Sequence, residues 1–441
     1  MIEPKDMQVV VLMGGLGTRL KEYTKECPKP LVDVCGKPFF DYSLSLLIHH
    51  GFRKFLFLIG YRAEMIEEYY GDGSSRGINI KYCYDGEKLL GTGGAVRRAY
   101  DYLEDDFLLM YGDSFMDIDY EETLYRYFEG KSRGMRALMT VLKNDNCFDK
   151  SNVVMDGNEI LLYDKLKVTP EMNYIDYGVC VYEKSLFAEY EENYKFDIAI
   201  IQNRLSLEKK IAAHIVMNRF YEIGSPESLA EFKDYVNHRF NTAHPAVFLD
   251  RDGVINEIVF NEDAEQMDSP QKPEQFKLLP GVYEALKKIN DLDYYIFIVT
   301  NQPGAAKGKS KLKTLYDINT SFVDDMKSHG IKIDNVFMCA HYPKALPETK
   351  EAFLIKKCNC RKPLPGLILK PKDIYNIDYE NSYMVGDSHT DVLAGQQAGV
   401  KTIFIGDLKC DACKKLCEIS PDYIARDIDK AADIIAGEAN I

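Results

Sequence analysis

Two α/β domains in series are what this sequence predicts, and three observations lead there. The chain has 441 residues, long for one core when domains run to roughly 100–200 residues. Short apolar runs alternate with longer amphipathic stretches, the rhythm of strands and helices following one another. That rhythm then starts afresh. After a helical-looking stretch, Pro226–Phe240, the polar segment Asn241-Thr-Ala-His-Pro245 leads into a new apolar strand, Ala246–Leu249. The seam is expected between residues 240 and 246, giving domains 1–240 and 246–441, with no internal repeat and no low-complexity tract.

Bulk properties narrow the function classes. Hydrophobic residues make up 46% and charged residues 28% of the chain, an ordinary balance for a folded domain. No apolar run approaches the ~18 residues a membrane span needs, so no membrane partner is expected. The start, Met1 to Asp6, is polar and acidic, and the run Val9–Met13 lacks the flanks of a secretory signal, which makes the cytoplasm the expected address. A net charge of −14 opposes nucleic acid as a partner, because a phosphate backbone demands a surplus of Lys and Arg. Eleven cysteines without a signal peptide point to metal binding or buried thiols rather than a disulfide framework.

In the first half the strands are read at Val9–Met13, Phe52–Gly60, Ile78–Tyr84, Phe107–Asp113 and Arg136–Leu142. The first runs into Gly14-Gly15-Leu-Gly17-Thr18-Arg19, where glycines let backbone N–H groups approach a nucleoside triphosphate without Cβ obstruction. Behind it, Leu20-x3-Thr24-x3-Pro28-Lys29-Pro30-Leu31-x4-Gly36-Lys37-Pro38 sets Lys29 between rigid prolines. Arg19 and Lys29 are two fixed cations suited to an α-phosphorus under attack and a departing pyrophosphate.

This run resembles the signature of the sugar nucleotidyltransferases, which join a sugar 1-phosphate to a nucleoside triphosphate. The resemblance implies a Rossmann-like mixed sheet. It also implies a second nucleotide loop at Leu90-Gly91-Thr92-Gly93-Gly94-Ala95 and an Mg²⁺ carboxylate, Asp113, ending Tyr111-Gly-Asp113. Lys165 in Tyr163-Asp-Lys165 would reach the sugar phosphate, and Asn173, Asp176 and Gly178 in Asn173-Tyr-Ile-Asp-Tyr-Gly178 would contact the sugar. In Tyr221-Glu-Ile-Gly-Ser-Pro226, Glu222 stands where the family usually has Asp, lengthening the second Mg²⁺ ligand by a methylene. The stretches Gly60–Gly73 and Gly91–Ala95 look most like the heptose-1-phosphate guanylyltransferase branch, while hexose-1-phosphate members carry similar strings. GTP as the nucleotide rests on that resemblance, since nothing in the sequence itself reads guanine against adenine.

The second half offers parallel strands at Tyr294–Asn301, Asp334–His341, Asn381–Asp387 and Val400–Asp407, each ending in polar residues. Phe248-Leu-Asp250-Arg-Asp252-Gly253 puts two carboxylates two residues apart at a strand end, as a nucleophile (Asp250) and a general acid and base (Asp252) would require. Thr300 supplies a hydroxyl for a transferring phosphoryl group, Lys362 in Cys-Arg361-Lys362-Pro-x-Pro-Gly a cation, and Gly386-Asp387-Ser-His-Thr-Asp391 carboxylates for Mg²⁺. Together these resemble the haloacid dehalogenase phosphatases across residues 246–407, implying Mg²⁺ on Asp250, Asp252 and Asp387 and sugar-phosphate contacts from Asn301 and Arg361. Cys339-x-His341 and Cys358-x-Cys360 form a set of four soft ligands fitting a closed, structural Zn²⁺ site. That staple resembles the branch holding heptose bisphosphate and histidinol phosphate phosphatases. Pro303 and Lys307 depart from the heptose pattern and leave the sugar contacts and anomer open.

The expected partners are small molecules, namely sugar phosphates and GTP, with self-association left open. Three alternatives stand beside this reading: the same two activities on a hexose or polyol phosphate, a second domain that senses sugar phosphate without catalysis, and redox thiols in place of zinc. Cys410, Cys413 and Cys417 read as ordinary cytosolic cysteines, and His214, His238 and His244 as surface or satisfied core histidines.

Overall fold

The computed structural model describes residues 3–15, 17–20, 23–86, 88–261, 266–406 and 419–439. It falls into two compact units, Met1–Asn237 and His238–Ile441. Among the described residues no helix is long and apolar enough to cross a membrane.

The first unit is built on a nine-stranded mixed sheet. Its order is Asn79–Tyr84, Lys54–Ile59, Gln8–Leu12, Asp106–Tyr111, Tyr174–Glu183, Ala137–Lys143, Ile211–Val216, Glu159–Tyr163 and Val153–Asp156. The first four strands are parallel, and Tyr174–Glu183 runs antiparallel to both of its neighbours. Gln8–Leu12 sits at the centre of the parallel part, with Val9, Val10 and Val11 fully buried, which is why it reads as a continuous apolar run rather than an alternating one. Its C-terminal end and that of Asp106–Tyr111 open where the sheet changes direction, the place where an α/β sheet leaves room for a ligand. The helix Pro226–Val236 is started by Ser225, whose side chain and that of Ser228 form a reciprocal cap. His214 is a satisfied core histidine: its Nδ1 lies 2.9 Å from the Thr123 hydroxyl and its Nε2 3.5 Å from Glu122.

The second unit is a six-stranded parallel sheet in the order Asn335–Cys339, Tyr295–Asn301, Ala246–Leu249, Tyr383–Gly386, Lys401–Ile405, Tyr423–Ala425. Both faces are covered, with Val247, Ile296, Ile298, Val385 and Ile403 in one apolar cluster. The three central strands therefore deliver their last residues, Leu249, Asn301 and Gly386, to the same edge of the sheet. The α/β fold with a mixed and then a parallel sheet is as expected from the sequence.

Candidate active sites

In the first unit the two glycine loops converge. Gly14, Gly15, Gly91 and Thr92 line one cleft of about 250 Å³ together with Lys29 and Asp113. Gly17 sits in the left-handed region (φ 63°), and a Cβ there would come within 3.0 Å of the Lys29 side chain, so a glycine is what lets the loop fold against the lysine. Lys29 is buried and its Nζ lies 2.7 Å from Asp113 Oδ2. Glu222 reaches the same acid through a two-strand pairing, Tyr221–Glu222 against Ser114–Phe115, and accepts from Arg19 at 3.2 Å. Burial and the nearby Asp113 push the Glu222 carboxyl up, with Lys29 and Arg19 pulling it back. Two acids drawn together and held by two cations form a fit cradle for a divalent ion and the phosphates that would accompany it.

Lys165 and Asp176 belong to a second group. Lys165 Nζ pairs with Asp197 Oδ2 at 3.0 Å, and Asp197 lies 3.3 Å from the Thr92 hydroxyl, which ties Lys165 to the second glycine loop. Asp176 accepts from the Gly178 N–H and from Gln202, and burial raises its carboxyl. Gly178 (φ 96°) packs beside the Tyr111 ring. Two of the expected contact residues also have structural partners. Gly93 and Gly94 give their N–H groups to the Phe196 carbonyl, and a Cβ on Gly93 would overlap the Phe196 ring, so these glycines admit Phe196 as a packing partner. Asn173 is exposed and its carbonyl accepts the backbone of Asn144 and Asp145. The Thr18 side chain, like Cys410, Cys413 and Cys417, lies outside the described residues.

In the second unit four charged groups meet at the strand ends. Lys362 is buried, with Nζ 2.9 Å from Asp250 and 2.6 Å from Asp391. Burial opposes its charge, but the two carboxylates outweigh burial and raise its pKa. Oxygens of Asp250, Asp387 and Asp391 lie within 4.8 Å of one another. Burial and the neighbouring Asp391 push Asp250 well above the usual carboxylate range and Asp387 up to about 7. Three crowded carboxylates against one ammonium fit a divalent cation, whose charge would let all three ionise.

The acid cluster differs from the expected set in one member: Asp391 takes part and Asp252 does not. The Asp252 carboxylate instead accepts from Arg251 at 3.0 Å, from Asn256 at 3.0 Å and from Gln302. Burial would raise it, yet Arg251 and these donors hold it below its ordinary value. Gly253 (φ 85°) is what allows the close turn, since a Cβ there would fall 2.0 Å from Asp387 Oδ2. Thr300 is fully buried and its hydroxyl takes a hydrogen bond from Gln302 at 2.8 Å. Asn301 works on the backbone: its amide donates to the Lys362 carbonyl and accepts from the Lys362 N–H, both at 3.1 Å, so it positions the lysine. Arg361 donates to the His341 carbonyl.

Cys339, His341, Cys358 and Cys360 come together as four ligand atoms. Their separations run from 3.2 Å (Cys339 to Cys360) through 3.3 Å (His341 to Cys360) to 3.7 and 3.8 Å (Cys339 to Cys358 and to His341). A tetrahedron with metal–sulfur bonds of about 2.3 Å has edges of about 3.8 Å, so the set fits a tetrahedral ion with little movement.

Comparisons with known proteins follow the same division. The nucleotidyl transferase family model matches residues 8–239, and a HAD-hydrolase-like model matches residues 359–431. The D-glycero-alpha-D-manno-heptose-1,7-bisphosphate 7-phosphatase of Photorhabdus laumondii is 39% identical over 159 residues, 36% of this chain and 80% of that protein. The D-glycero-alpha-D-manno-heptose 1-phosphate guanylyltransferase of Campylobacter jejuni is 31% identical over 229 residues, 51% of this chain and 98% of that protein. The D-glycero-beta-D-manno-heptose-1,7-bisphosphate 7-phosphatase of Vibrio cholerae is 37% identical over 162 residues, 36% of this chain and 80% of that protein.

Proposed function

The chain belongs to the nucleotidyl transferase family through its first half and to the HAD-like hydrolases through its second, and from that premise we propose a bifunctional enzyme acting on a heptose. Its second unit removes the 7-phosphate of D-glycero-α-D-manno-heptose 1,7-bisphosphate, and its first joins the resulting heptose 1-phosphate to GTP, releasing pyrophosphate. One observation carries the reading: the similar phosphatases and the similar transferase are named for the same heptose, the Photorhabdus laumondii phosphatase for the transferase's own anomer and the Vibrio cholerae one for the other, and a heptose 1-phosphate is the product of the one reaction and the substrate of the other.

In the phosphatase, an Asp250 oxygen attacks phosphorus, the bond to the sugar oxygen breaks, and Asp252 gives that oxygen its proton. Asp252 is held ionised in the free site, so it takes up its proton as the phosphate dianion arrives and raises its pKa. Asp252 then draws a proton from water, which attacks the phosphoaspartate and frees phosphate. Lys362 and Thr300 hold the phosphoryl oxygens, with Asn301 keeping the Lys362 backbone in place. Asp250, Asp387 and Asp391 would hold Mg²⁺, which supplies charge neutralisation at the phosphoryl group. In the transferase, an oxygen of the sugar phosphate attacks the α-phosphorus in line. Arg19 and Lys29 neutralise the growing charge, Lys165 releases Asp197 to hold the sugar phosphate, and Asp113 with Glu222 would carry the ion.

Mass spectrometry on products from D-glycero-α-D-manno-heptose 1,7-bisphosphate, Mg²⁺ and equimolar GTP, ATP, CTP and UTP tests this reading. A GDP-heptose peak is expected. Free phosphate without a nucleotide sugar would remove the heptose assignment from the transferase, and no turnover would remove it from both units.

The four soft ligands are assigned a structural zinc that pins the loop before Arg361 and Lys362. One zinc per chain is expected by elemental analysis, and Cys360→Ser should release it and lower the melting temperature of the second unit. Zinc-free protein of unchanged stability would leave the redox-thiol alternative.

A further inference from the structure

Asp85 lies in the nucleotide cleft with no role in the chemistry above. Its backbone N–H donates to the Ile59 carbonyl at 2.8 Å, which continues the parallel pairing of Asn79–Tyr84 with Lys54–Ile59 to this residue. Its carboxylate is nested against the ends of two neighbouring strands. A Cβ on Gly14 would stand 1.8 Å from Asp85 Oδ2, and one on Gly60 2.7 Å from it, so two glycines leave the room that this one carboxylate fills. Among the described residues no hydrogen bond is made to its oxygens. Burial raises its pKa, and the charge that pulls it back is Arg98 rather than Lys29, the cation of the phosphate side.

A fixed carboxylate in a nucleotide cleft repels phosphates and accepts only donors, which confines the occupant beside it to the base or the ribose. Leu89 and Leu90, which line the same cleft, are apolar and suit a flat ring. Of the four common bases, guanine alone presents two adjacent donors, N1–H and N2–H, spaced for both oxygens of one carboxylate. Adenine and cytosine set an acceptor beside their donor, and uracil flanks its donor with two acceptors. We infer that Asp85 is the residue that selects guanine, pairing through both oxygens with its Watson–Crick edge. The inference deepens the guanylyl reading and rests on it.

Calorimetric binding of GTP and of ATP to the full chain with Mg²⁺ tests it without any sugar substrate. Wild-type protein is expected to bind GTP well above ATP, and Asp85→Asn to lose about 100-fold for GTP while its ATP affinity stays, because the amide meets one of the two donors with a donor of its own. Retained ATP affinity also shows that the cleft is intact. A GTP preference that survives Asp85→Asn would overturn this inference and leave the guanylyl reading standing. Equal loss for GTP and ATP would make Asp85 a ribose contact and overturn it too. No GTP preference in the wild type would bring down both.

Discussion

Phosphate release from the heptose bisphosphate falls by at least about 10⁴-fold in Asp250→Asn, while nucleotidyl transfer from added heptose 1-phosphate is unchanged. The substitution is nearly isosteric and sits in a cluster already short of positive charge. Asp250 is raised by burial and by Asp391, so removing its charge relieves repulsion rather than leaving a buried ion alone, and Lys362 keeps Asp391 at 2.6 Å. Loss of activity with an undiminished melting temperature is therefore the expected pairing. A colorimetric phosphate assay on wild type and variant measures it. Equal release by the two would make the second unit a binding domain and sink the phosphoaspartate mechanism. Calorimetric Mg²⁺ binding separates Asp252, whose carboxylate is bound by Arg251, Asn256 and Gln302 and stands apart from the acid cluster: Asp252→Asn should spare the divalent-ion affinity that Asp391→Asn weakens.

Much of this could be read from the chain because the reacting groups lie at strand ends, where apolar runs stop in the sequence. Val9–Met13 ending in two glycines, Phe107–Asp113 ending in an acid and Phe248–Leu249 ending in Asp250 each announce a buried strand and the residue it delivers. The edge of the mixed sheet was harder. Val153–Asp156 and Glu159–Tyr163 are half exposed and hold only three or four apolar residues each, too short a run to stand out, and Ile211–Val216 hides His214 among its core residues. Tyr423–Ala425, three residues at the edge of the parallel sheet, is too short for any periodicity.

Site residues missed by the sequence share a different cause: they are recruited by packing across distant segments. Asp197 meets Lys165 and Thr92 only once Phe196 has packed onto the glycines at 93 and 94, and nothing local marks it. Asp85 was invisible for the same reason, since its setting depends on two glycines from other strands. The presence of Asp391 in the acid cluster, and the absence of Asp252 from it, goes with Arg251, a fully buried arginine whose guanidinium pairs with the carboxylate of the next residue, Asp252. Spacing gave two acids in a row. Which of them joins the acid cluster goes with the side chain between them.

In the first unit the largest effect is expected at Lys29. Lys29→Ala should lower kcat/KM of nucleotidyl transfer by about 10³-fold, or about 4 kcal/mol of transition-state stabilisation, with phosphatase turnover unchanged. The lysine is buried against the glycine loop and its pairing with Asp113 at 2.7 Å is the shortest contact between the nucleotide loops and the acids. Removing it costs twice: a fixed cation is lost from the phosphates, and Asp113 and Glu222, already strained by mutual repulsion at the Glu222 carboxyl, face each other with only the exposed Arg19 in support. Arg19→Ala should do less, since that side chain is 72% exposed and partly replaced by solvent. Because the two acids are left less compensated, Lys29→Ala should also bind Mg²⁺ at least as tightly as wild type in the absence of nucleotide, so that the defect appears in kcat and not in metal affinity. Steady-state kinetics across a Mg²⁺ titration reads both quantities. A variant restored to wild-type rate by excess Mg²⁺ would show that Lys29 merely holds Asp113 in place, whereas a deficit that persists at saturation is what a lysine acting directly on the transferring phosphate produces.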